Sequence, residues 1–252
     1  MKGSTLIRRQ VKTLKCHLLL LKQGLFLIVL IIGCRADSSR NYSESKAEAS
    51  KLEMDVCTDI EPMRKVTLDY DTSIWTELTL SDSIVLDLRY ATLNNFTETV
   101  IYPCARCFLR RPIAKKLVQI NQQLLLSKGL RIKLFDCYRP LQAQQKLWDI
   151  VPDETYVANP TKGSMHNRGA AVDLTLVGPD GNELNMGSDF DEFGSSSRHD
   201  NYKHPKQVLD NRAFLKSTME VAGFKSIKSE WWHYSLSGTG SPITDWQWEC
   251  PQ

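Results

Sequence analysis

Apolar residues recur at helical spacing through Ile113, Leu117, Ile120 and Leu124, in a stretch that opens at Pro112 and stops at Gly129. Proline suits a first helical turn and glycine a C-terminal stop, so the segment predicts a helix. Directly after it Leu130, Ile132 and Leu134 alternate with Arg131 and Lys133, the two-residue period of a strand. Asp136-Cys-Tyr-Arg-Pro140 ends that strand, and residues 141–150 read as a second helix. Further strands are predicted at 84–90, 170–177 and 231–236, and a further helix at 205–222, stopped by Gly223. This mixed order predicts an α+β domain, with a central antiparallel-rich sheet flanked by helices, rather than a regular α/β winding.

The N-terminal pattern is of another kind. The first 33 residues carry Lys2, Arg8, Arg9, Lys12, Lys15 and Lys22 without an acidic residue, then run apolar from Leu25 to Ile32. That is a charged n-region followed by an h-region. The run is shorter than the ~20 residues of a spanning helix, so cleavage is expected; the alternative is an ordinary signal or an uncleaved anchor with a helix starting near Leu18. Ile31-Ile32-Gly33-Cys34 resembles the bacterial lipobox, which predicts a signal peptide over 1–33, lipid on Cys34 and an exported protein anchored to the membrane of the cell envelope. Residues 34–55, rich in Ser, Glu, Lys, Ala and Asn, read as a solvated tether, and 56–252 as one folded domain.

The 252 residues are 42% hydrophobic and 24% charged, a globular composition with room for one sizeable core. The net charge of +3 becomes about −3 once the six cations of the first 33 residues are removed, and nothing points to a nucleic-acid partner. Export would place Cys57, Cys104, Cys107, Cys137 and Cys250 where disulfides form. Five is odd, so at least one stays free. Cys104-Ala-Arg-Cys107 has the spacing of a zinc knuckle or redox pair but lacks a second pair, which favours a structural disulfide or buried thiols.

Outside the N-terminal segment the histidines are His166, His199, His204 and His233. His166 lies just before Gly169-Ala-Ala-Val-Asp173-Leu-Thr-Leu176, where Val172, Leu174 and Leu176 share one strand face and Asp173 falls on the other. A carboxylate there is costly unless paired, hydrogen-bonded or metal-bound; the plainer alternative is an aspartate that ties down the loop. The second histidine segment is Glu230-Trp-Trp-His233-Tyr234. If its strand neighbours that of Asp173, at about 4.8 Å, the two side chains converge. Glu230, three positions from His233, then has to sit in a turn or bulge at the strand entrance. Two imidazoles, one carboxylate and an open fourth position make a catalytic zinc site, so His166, Asp173 and His233 are the candidate ligands of one zinc per chain. Glu230 is the candidate base. The alternative for this segment is an aromatic strand packed on the core with a satisfied histidine. Arg139, held beside Pro140, is the candidate cation for a developing oxyanion, against the alternative of a structural pair with Asp136.

In order along the chain, Arg89-Tyr-Ala-Thr-Leu-Asn-Asn-Phe96, Val100-Ile-Tyr102, Cys107-Phe-Leu-Arg110, Asp136-Cys-Tyr-Arg-Pro140, Ser164-Met-His166 with Gly169 and Asp173, Met186-Gly-Ser-Asp-Phe-Asp191 and Glu230-Trp-Trp-His233 resemble the D-alanyl-D-alanine dipeptidases, the family that includes the vancomycin-resistance dipeptidase. The resemblance covers roughly 84–236. It implies the α+β zinc fold shared with D,D-carboxypeptidases and the hedgehog signalling domain, the ligand, base and cation roles just given, and a place for Ser164 and Asp191 in holding the substrate's ammonium group. Asp189 and Glu192 are close enough to share or replace the role of Asp191, or else belong to a solvated acidic loop. Gly194-Ser-Ser-Ser-Arg-His199 departs from the family, which has an acidic residue before Ser-x-His. His199 and His204 read as surface or loop histidines. The expected function is hydrolysis of the D-Ala-D-Ala dipeptide in wall metabolism, recycling or glycopeptide resistance. The competing readings are a D,D-carboxypeptidase acting on stem peptides and a zinc-stabilised binding module without catalysis.

Overall fold

The structure is a computed structural model that describes residues 69–251 apart from Thr239. The predicted signal peptide over 1–33, the proposed lipidation site Cys34, the predicted tether over 34–55 and Cys57 lie outside the described residues. The elements in chain order are β1 (Trp75–Leu78), β2 (Val85–Leu86), β3 (Cys107–Arg110), α1 (Arg111–Lys128), β4 (Arg131–Asp136), α2 (Leu141–Ile150), β5 (Ala171–Val177), α3 (Lys206–Val221), β6 (Lys225–Ser226) and β7 (His233–Ser235). The main sheet has the order β2-β4-β5-β7-β6, and β1 pairs with β3 in a separate two-stranded ribbon. Only β2 and β4 run parallel; every other pairing is antiparallel. The fold is α+β, as the element order implied.

Helix α1 forms where its apolar spacing predicted. Ile113, Ala114, Leu117, Ile120 and Leu124 are its buried face, and each fully buried Leu or Ile contributes ~1.5–3 kcal/mol relative to exposure. Gly129 ends the helix at φ 67°, a left-handed conformation that costs glycine little. The fully buried Asn121 couples α1 to its surroundings: its Oδ1 accepts from the Ile132 N–H at 2.8 Å and its Nδ2 donates to the Asp82 carbonyl at 3.1 Å. That fixes where β4 begins relative to the helix.

All seven residues of β5 are buried, because the strand lies between β4 and β7. The predicted strand over 84–90 is mostly something else. Only Val85–Leu86 joins the sheet, and Arg89–Ala91 forms a 3-10 turn. The chain leaves the sheet after Asp87, whose carboxylate pairs with Arg89 and Lys133 at 2.9 Å, and the turn carries Tyr90 into the core instead of along an edge. Strand β7 is likewise shorter than expected, which leaves Glu230, Trp231 and Trp232 ahead of the ladder.

The C-terminal segment closes the fold. Trp246 stacks on Trp75 and Tyr138, and the Tyr138 hydroxyl donates to the Thr244 and Trp246 carbonyls. Disulfides join Cys104 to Cys250 and Cys107 to Cys137, so Cys104 and Cys107 do not pair with each other. The second bridge is fully buried and links β3 to the end of β4. Replacing Cys107 and Cys137 by alanine together is expected to cost about 3–4 kcal/mol, from the entropy of a closed loop of this length. Urea unfolding of both proteins under non-reducing conditions measures it.

Candidate active site

Cross-strand register brings the site together. Asp173 pairs directly with His233 on β7 and with Asp136 on β4. His166 arrives from a 3-10 turn that Gly169 closes at φ 64°. A Cβ at Gly169 would lie 2.4 Å from the Trp75 ring, so both the backbone turn and the tryptophan require glycine there. The His233 Nδ1 lies 3.0 Å from Asp173 Oδ1 and 3.1 Å from His166 Nε2, and His166 Nε2 lies 3.3 Å from Asp173 Oδ1. Donor atoms of a tetrahedral zinc site, with ligand distances of about 2.0–2.1 Å, sit roughly 3.3 Å apart, so the trio is spaced for one ion.

The neighbouring groups agree with that fit. His166 Nδ1 lies 2.7 Å from the Cys137 carbonyl, a contact that requires the proton on Nδ1 and leaves the Nε2 lone pair facing Asp173 and His233. Burial opposes ionisation of Asp173, but His166 and His233 outweigh it and hold the carboxyl well below the usual range. The pairing works in both directions: burial alone would lower the His166 pKa, and Asp173 raises it.

A cavity of about 270 Å³ opens onto these three groups, with Tyr90, Arg139, Ser164, Asp191 and Glu230 also in its wall. Glu230 stands in the bend before β7, where its spacing from His233 required it to be. Burial pushes its carboxyl up to about 7; His233 pulls down and Asp173 pushes up. Burial, with Asp173 beside it, also drives the Asp191 carboxyl well above the ordinary value, although the Tyr90 hydroxyl donates to its Oδ2 at 2.8 Å. Asp191 adopts φ 57°, a left-handed conformation uncommon outside glycine. Ser164 donates to Asn167 Oδ1 at 3.0 Å from its hydroxyl, and Asn167 Nδ2 donates to the Arg139 carbonyl at 2.8 Å.

Arg139 does form the pair with Asp136 weighed as the structural alternative. Its Nε and Nη2 donate to Asp136 Oδ2 at 3.0 and 2.7 Å. It also lines the cavity, with its guanidinium 5.0 Å from the Tyr90 ring centre. Asp189 and Glu192 are exposed and outside this cavity, so neither shares the wall with Asp191. Glu192 lines a smaller cavity of about 120 Å³ behind Glu230. His199 and His204 stand apart from the site in loop segments, as expected; His199 is partly buried there, burial lowers its pKa to about 4, and it packs beside Tyr234. Tyr90, whose hydroxyl binds Asp191, had no individual signal in a run that read as a strand.

A carboxylic acid held near neutrality beside a two-histidine, one-aspartate trio suits activation of water at a peptide bond, and the fold and site together define a metallopeptidase. The model of the D-ala-D-ala dipeptidase family, Peptidase M15, matches residues 78–250, and the chain belongs to that family. D-alanyl-D-alanine dipeptidase of Escherichia coli K12 is 40% identical over 166 residues, covering 66% of this chain and 86% of that protein. The dipeptidase of Enterococcus faecalis is 35% identical over 63% of this chain and 88% of its own. That of Streptomyces coelicolor is 32% identical over 66% and 92%. A solved vancomycin-resistance D,D-dipeptidase, in complex with a D-Ala-D-Ala phosphinate analogue, gives a TM-score of 0.32 at 16% identity over 66% of this chain and 68% of that one, a likeness too distant to bear on the site.

Proposed function

We propose that the protein hydrolyses the D-Ala-D-Ala dipeptide to free D-alanine with one zinc ion held by His166, Asp173 and His233. The observation that carries this reading is a half-buried acid, Asp191, on the wall of the same small cavity as the trio and Glu230. A cavity of about 270 Å³ lies below the ~300–1,000 Å³ range of drug-sized ligands. When bound, the ion supplies Lewis-acid polarisation of the scissile carbonyl and activation of water.

The chain's own residues supply the rest. Glu230 takes the proton of the attacking water and passes it to the leaving amine. Arg139, oriented by Asp136, offers fixed positive charge to the oxygen that becomes negative. Asp191, with Ser164 nearby, receives the free ammonium group, and that cation restores the ionised carboxylate that burial disfavours. A stem peptide attached through its amine has no such cation to offer, which favours the free dipeptide over a D,D-carboxypeptidase reaction. Glu230 and Arg139 at the cavity favour catalysis over a binding module.

Asp191→Asn is expected to raise KM for D-Ala-D-Ala about ten- to a hundredfold, with metal content unchanged, as expected when one side of a buried charge-assisted contact is lost. Steady-state kinetics on D-Ala-D-Ala beside N-acetyl-D-Ala-D-Ala tests it. An unchanged KM, or an acetylated substrate cleaved as well as the free one by the native protein, would overturn the ammonium assignment.

Export with a lipid on Cys34 belongs to the same proposal. Its support is the charged N-terminus, the lipobox-like tetrapeptide and two disulfides, which persist in oxidising compartments. No helix among the described residues is long and apolar enough to cross a membrane.

A further inference from the structure

Helix α2 carries three glutamines with different surroundings. Gln142 and Gln145 are exposed, whereas Gln144 is completely buried. Both ends of its amide are in use. The Oε1 accepts from Arg139 Nη1 at 3.0 Å, and the Nε2 donates to the Ala158 carbonyl at 2.8 Å. Ala158 belongs to the segment 154–158 that forms one side of the active-site cavity.

A guanidinium has five N–H donors in a rigid plane. Asp136 Oδ2 takes two of those of Arg139, from Nε and Nη2, and Gln144 takes a third, from Nη1. Nη2 also lies 4.0 Å from Asp173 Oδ2, and the guanidinium stands in the cavity wall. Asp136 alone grips one side of the plane. The bond to Gln144 holds the other side at Nη1, so the plane is fixed at two edges and does not tilt about the Asp136 contact.

We infer that Gln144 is a positioning residue for the reaction: through Oε1 it fixes the orientation of the Arg139 guanidinium at the cavity wall. This rests on the hydrolytic reading above and adds to it a residue that touches no reacting atom. A donor aimed where charge develops lowers the barrier without strengthening ground-state binding, so loss of the aim falls on kcat.

Two variants and two readouts test it. Gln144→Met keeps the length and burial but offers no comparable acceptor; Gln144→Glu restores an acceptor oxygen. In metal-loaded protein acting on D-Ala-D-Ala, Gln144→Met is expected to lower kcat ten- to a hundredfold with KM within about twofold, the scale of a small misplacement of a catalytic group. Gln144→Glu is expected to recover kcat to within about threefold of the native value. The second readout needs no turnover: in nitrogen-15 NMR of the metal-free protein, the two protons on Arg139 Nη1 should be distinct in the native protein, averaged by faster rotation about Cζ–Nη1 in Gln144→Met and distinct again in Gln144→Glu.

A merely structural role would lower thermal stability in Gln144→Met and leave both kcat and the Nη pattern unchanged, which overturns the proposal. So does loss of kcat that glutamate fails to rescue. If the native protein proves inert toward D-Ala-D-Ala, the hydrolytic reading fails, and the NMR comparison decides the positioning role by itself.

Discussion

Glu230→Gln is expected to leave one zinc bound per chain while kcat for D-Ala-D-Ala falls by about 10²–10⁴-fold, the usual contribution of a positioned proton-transfer group. The change replaces one oxygen by an amide at almost constant shape, and Glu230 is not among the three groups spaced for the ion. Metal analysis beside kinetics therefore separates base from ligand: loss of zinc together with activity would show that a ligand had been taken for the base. A second consequence concerns stability. In the metal-free protein the Glu230 carboxyl is raised from 4.5 to about 7. A raised folded-state value means that the folded protein favours the protonated form. The residue thus costs nothing below about pH 4.5, costs progressively more as pH rises, and costs up to roughly 3 kcal/mol above pH 7. Metal-free Glu230→Gln should accordingly melt higher than the metal-free native protein at pH 8, with the two converging near pH 4.5. A native protein more stable than the variant at pH 8 would contradict the buried-acid description. Stability lost to an ionisable group in an enclosed site is a physical mark of function rather than of packing.

The legible parts of this molecule are those whose signals are local. Helix α1 announced itself by apolar spacing, a proline near its start and a left-handed glycine at its end, and helix α2 began directly after Pro140. Asp173 was conspicuous as a carboxylate inside an apolar strand. Its meeting with His233 depended on register between segments 60 residues apart, a property of the sheet that neither segment contains by itself. The short strands β1 and β3 pair with each other through such contacts and gave no periodic run of their own. Cysteine pairing was equally non-local, since the bridges span 146 and 30 residues. Gln144 was indistinguishable from Gln142 and Gln145 by sequence. Only the packing of α2 against the Arg139 loop gives it a different environment. The run at 84–90 misled because Tyr90 shares the β-propensity of its neighbours, while the ion pairs of Asp87 turn the chain out of the sheet.

Zinc is expected to raise the melting temperature of the metal-free protein by about 8–16 °C at a free concentration 1,000 times its Kd. A ligand that binds only the folded state contributes about 4 kcal/mol at that ratio, and a domain of 150–250 residues shifts by roughly 2–4 °C per kcal/mol. Asp173→Asn should abolish that shift and the activity together. Asparagine removes the charge that balances two imidazoles around one cation, and it does so at almost constant shape on a strand whose seven residues are all buried. The same substitution tells metal binding apart from simple loss of fold. Metal-free Asp173→Asn should retain the far-ultraviolet dichroism of the metal-free native protein, since the β5 ladder is made by backbone groups that do not change. Protons compete with the ion for the histidines, so the zinc-induced shift should shrink as pH falls. Thermal melts of both proteins with and without zinc, repeated at pH 8 and pH 6, provide the measurement. An undiminished shift in Asp173→Asn would remove Asp173 from the ligand set, and with it the premise that register between β5 and β7 builds the site.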